Sequence, residues 1–544
     1  HNVGTCYRCH HTVEPLVSKQ WFVKMAPLAQ PALDVVRSGE IRFIPDRYAK
    51  VYYNWMENIR DWCISRQLWW GHRIPIFYCD QCGHEWASKT TETACPKCAS
   101  VNIRQDEDVL DTWFSSWLWP FSVFGWPQQN DDLKFYYPSR TLVTGNEIIF
   151  FWVARMIMSG LEVMNDIPFD TVYIHGTVRD DQGRKMSKSL GNSIDPLDII
   201  EKYSSDALRF SLLMITATGQ DVYISDEKFE IGRNFGTKIW NAARFMQMHS
   251  EGFDVKDLAF NKADLTPDDQ HLLAKLNEAI ASVNDNLQRY RFNDATLALY
   301  DFFWHSYCDW YLEYAKPILY KGTPAQKKHT LQVMHFVFST ALKLLHPFMP
   351  FLTEELWHGM EYNHADETIM LASWPEESVL KGIDPSVVKY VDGKHDLIRV
   401  GRILRSEYNL PNKQEVAFFV RPVNGKYAEQ VEDDKESIMA SLKAEKLEVN
   451  VNFTPSGAMP SGISALGAVY MSIEDLVDVD AEIEKLTKEL DEVNGHLINV
   501  KKKLSNENFV SKAPHDVVAV QEKRQAELIE KSEKLAKMIE TLRG

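Results

Sequence analysis

The chain has 544 residues, of which 45% are hydrophobic and 25% charged, and its formal net charge is −16. This ordinary globular composition and length predict about three to five domains. The acidic balance argues against a nonspecific nucleic-acid binder, but a specific RNA can still bind a local basic groove on an acidic protein. No apolar run approaches the ~18 residues that span a bilayer and no secretion leader is visible, so we expect no membrane partner.

Residues 1–20 resemble the end of an interrupted domain. The chain begins with His1, and Cys6-Tyr-Arg-Cys9 follows almost at once, which we interpret as the start of a shortened chain. Cys6 and Cys9 form half of a metal site. His10 or His11, or His1 itself, could complete the ligand set, but we expect the half-site to be empty or disordered.

Residues 21–140 are rich in Trp, Tyr and Pro and contain a cysteine-rich insert at 79–98. Cysteines in Cys-x-x-Cys pairs, in a chain of this size without a leader, indicate metal binding rather than disulfides. Two such pairs with a short spacer suit tetrahedral Zn²⁺ held by four thiolates, a closed and structural type of site. The predicted ligands are Cys79, Cys82, Cys95 and Cys98.

The pattern from 140 to 215 is strand, helix, strand. Residues 140–145 and 171–178 are predicted strands, and the apolar run 146–161 is a predicted helix. A βαβ unit in an open parallel sheet is the simplest interpretation, and ligands bind such sheets at the carboxyl ends of the strands.

Helical periodicity dominates from 215 to 385, with long helices predicted over 229–245 and 284–314. Residues 386–476 change to short β-like runs, such as 415–420, and predict a small α+β module. From 478 onward, apolar residues alternate spacings of three and four, which is typical of a coiled coil. A break at 506–514 divides this region into two helices, so we expect an antiparallel hairpin.

The ten residues from Gly183 to Asn192 carry the strongest signal for chemistry. Lys185 and Lys188 lie three positions apart among small residues, just after a predicted strand. Such a loop can place both ammonium groups on one polyphosphate, where charge develops when its α-phosphate is attacked. Mg²⁺, held mostly by phosphates and water, is expected to share that charge. A solvated basic loop is the alternative, and it is the usual fate of an isolated Lys-x-x-Lys pair.

Residues 185–189 (Lys-Met-Ser-Lys-Ser) are identical to the second signature of the class I aminoacyl-tRNA synthetases. Residues 62–75 resemble the valine, isoleucine and leucine subgroup. Residues 68–70, 72–73, 111–116, 124–127 and 144–152 resemble the valyl-tRNA synthetases, and the resemblance covers nearly the whole chain. A C-terminal coiled-coil hairpin also suits valyl enzymes, since isoleucyl enzymes more often end in a zinc-binding module.

The resemblance implies an ATP site. Gly145 and Glu147 match an element near the ribose and adenine, where glycine admits the backbone and a carboxylate accepts hydroxyl bonds. This sequence has Glu147 where the pattern more often has Asp. His175 and Gly176 resemble a strand-end pair beside the adenine, although a lone histidine there is equally often structural. The signature residues implied to bind ATP, with both lysines catalytic, are Lys185, Met186, Ser187, Lys188 and Ser189.

The resemblance also implies a pocket for valine and contacts with tRNA. Trp113 and Trp152 match two tryptophans that wall the pocket, and Ile148 matches a third pocket residue, so a branched aliphatic side chain could lie between two indole faces. Arg233 and Lys238 match a segment that could contact the inside of the tRNA bend, but solvation on a helix surface is at least as common for such residues.

The implied function is that of a valine–tRNA ligase, which activates valine with ATP and transfers it to the 2′-hydroxyl of the valine tRNA. We expect a cytoplasmic monomer that uses ATP, Mg²⁺ and a structural Zn²⁺. The family's first signature, His-x-Gly-His, does not occur in this sequence, and neither does the editing domain, so we expect the fragment to be inactive alone. The alternatives are an isoleucyl-tRNA synthetase and, for the isolated chain, a noncatalytic tRNA-binding module.

The resemblance further implies a multidomain α/β and all-α fold, built around the second half of a Rossmann-like catalytic domain. Its segments are the end of the inserted editing region (1–20), a connective region (21–140), the Rossmann-like half with the signature loop (141–215), a stem-contact linker (216–264), an anticodon-binding helical bundle (265–385), a small α+β module (386–476) and a coiled-coil tRNA-binding arm (477–544).

Overall fold

The computed structural model describes residues 3–6, 9–14, 17–187, 190–255, 260–362, 367–376, 382–411, 413–456, 459–473, 479–505 and 515–543. The chain forms two compact units. The first comprises His1–Arg233 and Asp285–Thr296, and the second comprises Asn234–Asn284 and Leu297–Gly544. None of the helices in the described ranges is long and apolar enough to cross a membrane.

The first unit is built from short strands and short helices. Its strands are β1 (Phe22–Val23), β2 (Arg42–Ile44), β3 (Trp62–Cys63), β4 (Ser65–Arg66), β5 (Ile76–Cys79), β6 (Glu85–Ala87), β7 (Ile103–Gln105), β8 (Val109–Leu110), β9 (Ser139–Gly145), β10 (Phe169–His175), β11 (Val178–Arg179) and β12 (Val222–Tyr223). Its helices are α1 (Ala26–Arg37), α2 (Arg47–Glu57), α3 (Thr112–Ser116), α4 (Trp119–Ser122), α5 (Asp131–Tyr136), α6 (Ala154–Ser159), α7 (Pro196–Tyr203) and α8 (Ser205–Ile215).

A three-stranded parallel sheet in the order β2-β10-β9 forms the centre of this unit. Val172 of β10 lies between Leu142 and Phe43, and all three side chains are buried. β10 is buried over most of its length, as expected for the central strand of a parallel sheet, although it includes the polar residues Asp170 and Thr171. The predicted βαβ unit is therefore confirmed. Its helical part runs from Asn146 to Met164, as a 3-10 turn, a π turn, α6 and a second π turn.

The second predicted strand, 171–178, ends earlier than expected. β10 stops at His175, and Val178–Arg179 pairs instead with β12. Gly176 lies between them, so close to Gln220 that a Cβ atom there would be 1.7 Å from the Gln220 carbonyl oxygen. Only glycine fits this approach, and the chain leaves the sheet at that point.

The predicted helix over 284–314 is wrong near Tyr290, which has a φ of 57°. The Tyr290 hydroxyl is 2.7 Å from Thr141 Oγ1, its ring stacks on Tyr173 at 5.9 Å, and its carbonyl accepts from Thr218 Oγ1 at 3.2 Å. These three contacts lie within the first unit. Tertiary packing therefore overrides the local helical preference, as it often does.

The second unit is mainly helical, with one sheet. α9 (Glu230–His249) begins in the first unit and continues into the second. The other helices are α10 (Pro267–Gln288), α11 (Phe292–Asp301), α12 (Leu312–Lys321), α13 (Pro324–Leu345), α14 (Pro350–Gly359), α15 (Pro385–Glu407), α16 (Gly425–Asp433), α17 (Lys435–Leu442), α18 (Val479–Leu504) and α19 (His515–Arg543). The strands are β13 (Val416–Pro422), β14 (Ala444–Val449), β15 (Ser461–Ser464) and β16 (Gly467–Met471).

The four strands form a sheet in the order β14-β13-β16-β15, with β13 parallel to β14 and the other pairs antiparallel. The strand predicted at 415–420 is β13. Phe418, Val420 and Met471 are fully buried in the same hydrophobic core as residues of α15 and α17. The predicted small α+β module is therefore observed.

The two C-terminal helices pack against each other. Leu486 and Val493 of α18 are buried, as is Leu535 of α19, and Ser532 Oγ donates to Asn494 Oδ1 at 2.8 Å. Val520, on the predicted apolar stripe, is instead 60% exposed. The predicted break at 506–514 lies outside the described residues.

A buried ion cluster joins the helical bundle to the α+β module within the second unit. Lys394 of α15 is 1% exposed, and its Nζ lies 2.6 Å from Asp268 Oδ2 of α10 and 2.9 Å from Asp434 Oδ2, between α16 and α17. Burial is the main influence on Asp268 and raises the pKa of its carboxyl, against the opposing effect of Lys394. Buried charges of this kind are tolerated only when they are paired.

Lys394→Met is expected to destabilise the second unit by about 3–5 kcal/mol, because it leaves a buried carboxylate without its cation. The control is Lys435→Met, which removes an exposed pair with Glu432 (2.6 Å) and is expected to cost no more than about 1 kcal/mol. Urea unfolding followed by circular dichroism measures both. Equal losses in the two variants would contradict a buried ionic link.

Candidate functional site

The carboxyl ends of β9 and β10 meet at one edge of the parallel sheet. Gly145 lies directly opposite His175 in the strand register, and Glu147 follows in the next turn. Lys185 Nζ lies 3.5 Å from Glu147 Oε1. The backbone N–H of Glu147 itself, with smaller contributions from Lys185 and His175, lowers the pKa of the Glu147 carboxyl. The structure thus brings together four of the residues that the sequence predicted.

A second carboxylate, Asp221, lies beside this group. Its Oδ1 accepts the Thr177 backbone N–H at 2.8 Å, and its Oδ2 accepts Arg179 Nε at 2.6 Å. The Thr177 N–H, followed by Arg179 and then Lys185, lowers the pKa of Asp221. The edge therefore carries both cations and acceptors, which suits a ligand with phosphate and hydroxyl groups.

The signature loop is closed at its base by Asp180 and Asn192. Asp180 accepts the Arg184 N–H at 2.8 Å and the Asn192 side-chain N–H at 2.9 Å. Asn192 Oδ1 in turn accepts the Ser187 N–H at 3.0 Å. These bonds hold residues 184–187 in a defined turn. Lys188 and Ser189 lie outside the described residues, whereas Met186 packs against the core that includes Ile199 and Phe229.

The predicted pocket residues lie on two elements in contact. Trp152 Nε1 donates to the Ser116 carbonyl at 3.2 Å, which attaches the turn after β9 to α3. Trp113 stacks on Phe151 with ring centroids 5.9 Å apart, and Trp152 packs on Trp119 at 5.6 Å. Each indole thus has a different aromatic partner. Ile148, at the start of this turn, is half-buried.

The four predicted zinc ligands form one cluster. All four Sγ atoms lie within 4.8 Å of one another, with Cys79–Cys98 at 3.6 Å and Cys82–Cys95 at 3.7 Å. A tetrahedron with Zn–S bonds of about 2.3 Å has S–S edges of about 3.8 Å, so the residues fit a zinc ion. The Cys82 backbone N–H is the main influence that lowers the pKa of the Cys79 thiol to about 7, towards the thiolate that a metal needs.

The Cys6–Cys9 pair folds like the two knuckles of that cluster. Each of the three knuckles has the same two backbone hydrogen bonds. The N–H of its first cysteine donates to the carbonyl of the residue five positions later, and the carbonyl of that cysteine accepts from the N–H of the residue four positions later. All of these bonds measure 2.8 or 2.9 Å. The residue four positions after the first cysteine has a positive φ in each knuckle, for example 59° at His10 and 56° at Ala99. His11 Nδ1 lies 3.1 Å from the Cys9 carbonyl, and His1 lies outside the described residues.

The two predicted tRNA-contact residues lie on α9 and take part in contacts within the chain. Arg233 pairs with Glu230 at 3.5 Å, and its guanidinium lies 5.5 Å from the centre of the Tyr203 ring. Lys238 pairs with Asp309 at 2.9 Å. An RNA phosphate would have to compete with these partners.

The sequence did not single out Asp180, Asp221 or Phe151. Asp180 lies just before the signature, so its proximity could have suggested it. Asp221 comes 33 positions after Lys188 and meets the site only through the β11–β12 pairing, which no local pattern predicts.

Three family models match the chain. A model described as tRNA synthetases class I (I, L, M and V) matches residues 7–225. The anticodon-binding domain of tRNA ligase matches 269–420, and the valyl tRNA synthetase tRNA binding arm matches 478–543.

Curated relatives are similar along nearly the whole chain. The valine–tRNA ligase of Carboxydothermus hydrogenoformans is 45% identical over 95% of this chain and 58% of its own length. That of Thermotoga maritima is 45% identical over 100% of this chain and 61% of its own length. The chain thus spans about three-fifths of the relatives that it matches.

Among solved structures, a Mycobacterium tuberculosis methionyl-tRNA synthetase in complex with methionyl-adenylate covers 65% of this chain and 65% of its own, with 20% identity and a TM-score of 0.50. At this identity the likeness concerns the fold alone. The fold resembles that of the class I synthetases, with a Rossmann-like part and a helical part.

Asp180→Asn is expected to loosen the signature loop and to speed tryptic cleavage after Arg184 and Lys185 by about three- to tenfold, because local opening exposes the backbone.

Asn192, together with the Arg184 N–H, is among the groups that lower the pKa of Asp180 to about 2. The loop is therefore held at every pH above ~4 and loosens as the pH falls towards 2. Asp181→Asn, a change at the adjacent exposed carboxylate, is the control; equal rates in both variants would contradict the role of Asp180.

The purified chain is expected to bind about one Zn²⁺. Cys79→Ser is expected to weaken zinc binding by more than about 100-fold, because removal of a metal ligand lowers the affinity more than removal of a residue that only hydrogen-bonds to a ligand. A colorimetric zinc-release titration and thermal unfolding measure the effect. Cys6→Ser changes a knuckle of the same geometry and is expected to leave zinc content unaltered. A loss of zinc in this control would place the ion elsewhere.

Proposed function

We propose that the chain is a valyl-tRNA synthetase fragment that acts as part of a valine–tRNA ligase, on the strength of its similarity to valine–tRNA ligases along nearly its whole length. In the first step, a valine carboxylate oxygen bonds to the α-phosphorus of ATP, the bond to the β-phosphate oxygen breaks, and pyrophosphate leaves. In the second, the 2′-hydroxyl of the terminal adenosine of the valine tRNA attacks the acyl carbon. That hydroxyl loses its proton, and AMP leaves.

The meeting of Lys185 and Glu147 at the strand ends carries this proposal. Their side chains are 62% and 56% exposed, and ion pairs so exposed contribute no more than about 1 kcal/mol. Lys185 can therefore exchange Glu147 for a phosphate at little cost. With Lys188, it would stabilise the charge that develops on the departing pyrophosphate, and Mg²⁺ bound with ATP would share that charge.

The remaining ATP contacts follow from the same edge. Glu147 would accept ribose hydroxyls, Gly145 would allow the nucleotide to approach the backbone, and His175 with Gly176 would pack beside the adenine. His175 is exposed, and its Nδ1 lies 2.8 Å from the Gly176 carbonyl, which orients the ring. Met186, Ser187 and Ser189 complete the proposed set.

The valine side chain would lie against the aromatic group formed by Trp113, Ile148 and Trp152. Burial against indole faces favours a branched aliphatic group, although such a pocket discriminates weakly between groups of similar shape. Phe151, stacked on Trp113, extends this surface.

The second unit would bind the tRNA. The helical bundle at 265–385 would contact the anticodon, and α18 with α19 would form an antiparallel coiled-coil arm within 477–544. Arg233 and Lys238, in the linker 216–264, are the proposed contacts to the tRNA bend. Residues 386–476 would connect bundle and arm.

The proposed Zn²⁺ is structural, because four thiolates leave no open position for substrate. The Cys6–Cys9 knuckle at 1–20 would be half of a second metal site. The region 21–140 would connect this segment to the Rossmann-like half predicted at 141–215. These bounds are too narrow, because β2 (Arg42–Ile44) is itself a strand of the central parallel sheet. We further propose a monomer that works in the cytoplasm.

Valine-dependent exchange of pyrophosphate into ATP tests the proposal, on this chain and on the chain extended to the length of its relatives. In the extended protein, Lys188→Ala is expected to lower kcat by about 10²–10³-fold, as loss of one transition-state contact does, with little change in the KM for valine. Lys24→Ala, at an exposed lysine of the first unit, is the control. Equal losses of kcat and valine affinity would refute the role of Lys188, and exchange driven by isoleucine would identify an isoleucyl enzyme.

A further inference from the structure

A cleft of about 590 Å³ lies in the second unit where α15 and α17 end. Its walls carry three cations, Arg402 and Arg405 of α15 and Lys443, the first residue after α17. We call it the arginine cleft. Its other lining residues in the described part of the chain are serine, asparagine and leucine, so none of them is acidic. Such a lining is unexpected in a chain whose net charge is −16, and clefts lined by charges of one sign concentrate ions of the other sign.

Arg405 is a fixed positive charge in the wall of this cleft. It is 7% exposed, and backbone carbonyl groups hold its guanidinium. Nη2 donates to the carbonyls of Pro411 at 3.0 Å and Gln414 at 2.7 Å, and Nη1 donates to that of Lys443 at 3.5 Å. Burial lowers the pKa of Arg405, and no carboxylate in the described ranges opposes that effect. Neutral acceptors satisfy the N–H groups but leave the charge uncancelled.

Arg402 and Lys443 are exposed and line the same cleft. Arg402 Nε donates to the Ser441 carbonyl at 3.3 Å, and its guanidinium lies 5.4 Å from the centre of the Trp310 ring. These contacts orient the side chain and leave its Nη1 and Nη2 groups without an acceptor among the described residues. The Lys443 ammonium has no acceptor among those residues either. Both side chains therefore keep N–H donors for a ligand.

Neighbouring cations on the same elements are paired with carboxylates. Arg399, one turn earlier on α15, lies 2.5 Å from Asp396, and Lys446 of β14 lies 2.9 Å from Glu448. Cations also collect at helix C-termini because the free carbonyl groups there attract them. That attraction accounts for the bonds of Arg405, but not for Lys443, whose ammonium reaches no carbonyl in the described part of the chain.

We propose that the arginine cleft binds a phosphate group. Guanidinium and ammonium groups are the usual partners of phosphate oxygens in proteins. Arg402 and Lys443 would donate to those oxygens, and Arg405 would contribute its charge from the wall. Sites for small molecules have volumes of about 300–1,000 Å³, so the cleft has room for a phosphate with the groups attached to it.

The phosphate can come from two sources. One is the backbone of an RNA, and this source rests on the proposed function, in which the second unit binds the valine tRNA. The other is a phosphorylated small molecule. The contacts are the same in both cases, so inorganic phosphate can probe the cleft whether or not the proposed function holds.

The experiment measures how fast an amine-reactive ester acylates individual lysines of the 544-residue chain, by mass spectrometry of its peptides. Sodium phosphate at pH 7 is compared with sodium chloride of equal ionic strength. Saturating phosphate is expected to slow the acylation of Lys443 by more than about threefold, because a lysine in contact with a ligand is withdrawn from the reagent. Lys446, exposed and paired with Glu448, is the internal control and is expected to react equally in both salts.

Two matched variants of α15 test the role of the cleft. Arg402→Gln is expected to remove the protection of Lys443, because it takes away one of the two donors to the phosphate. Arg399→Gln, at an arginine whose side chain is 61% exposed, is expected to keep the protection. Both positions are exposed on the helix, so both variants are expected to fold, and circular dichroism verifies that they do.

Valine tRNA distinguishes the two sources. If RNA supplies the phosphate, the tRNA protects Lys443 at a far lower concentration than inorganic phosphate does. In a filter-binding assay, Arg402→Gln then lowers the slope of log binding constant against log salt concentration by about 0.7–0.9, as loss of one phosphate contact does. If inorganic phosphate protects Lys443 and the tRNA does not, a small molecule is the source. A tRNA that fails to bind the chain at all counts against the proposed function and not against the cleft.

Three results overturn the proposal. Protection of Lys443 by neither phosphate nor tRNA would mean that the three cations only cap helix ends. Equal protection of Lys446 would mean that the anion acts through general screening. Equal loss of protection in Arg402→Gln and Arg399→Gln would place the ligand outside the cleft.

Discussion

The parallel pairing of β9 with β10 determines where the candidate groups of the first unit lie. Because the strands run in the same direction and end in register, Gly145 and His175 lie side by side. The segments that follow the two strands therefore begin at the same edge of the sheet. Glu147 lies on the segment after β9, and the signature loop lies on the segment after β10. The ion pair between Lys185 and Glu147 joins positions 38 residues apart. Another strand register would place the two side chains at different positions along the sheet and would separate them.

Elements with a strong periodic pattern could be predicted from the sequence, and the failures have physical causes. The strands at 140–145 and 415–420 and the helices of the bundle follow their apolar patterns. The helix expected across Tyr290 fails because three tertiary contacts hold that residue in a left-handed turn. The strand expected to reach Val178 fails because the backbone at Gly176 approaches Gln220. Both contacts join distant segments, which local patterns do not encode.

The candidate site divides in the same way. Cysteine spacing predicted the cluster of four thiols, since each knuckle forms within six residues. The signature lysines could be predicted because they belong to one contiguous motif, residues 185–189. Asp221 could not be predicted, because its position beside the site depends on the pairing of β11 with β12.

The Lys394 cluster has a consequence for how the second unit opens. Its three charged groups lie on α10, on α15 and between α16 and α17, so none of these elements can detach without exposing an unpaired charge to the interior. Detaching any one of these elements therefore adds the cost of a buried charge left unpaired, about 3–5 kcal/mol, to the cost of its lost apolar contacts. This added cost favours joint opening of the bundle and the module over the separate fraying of one helix.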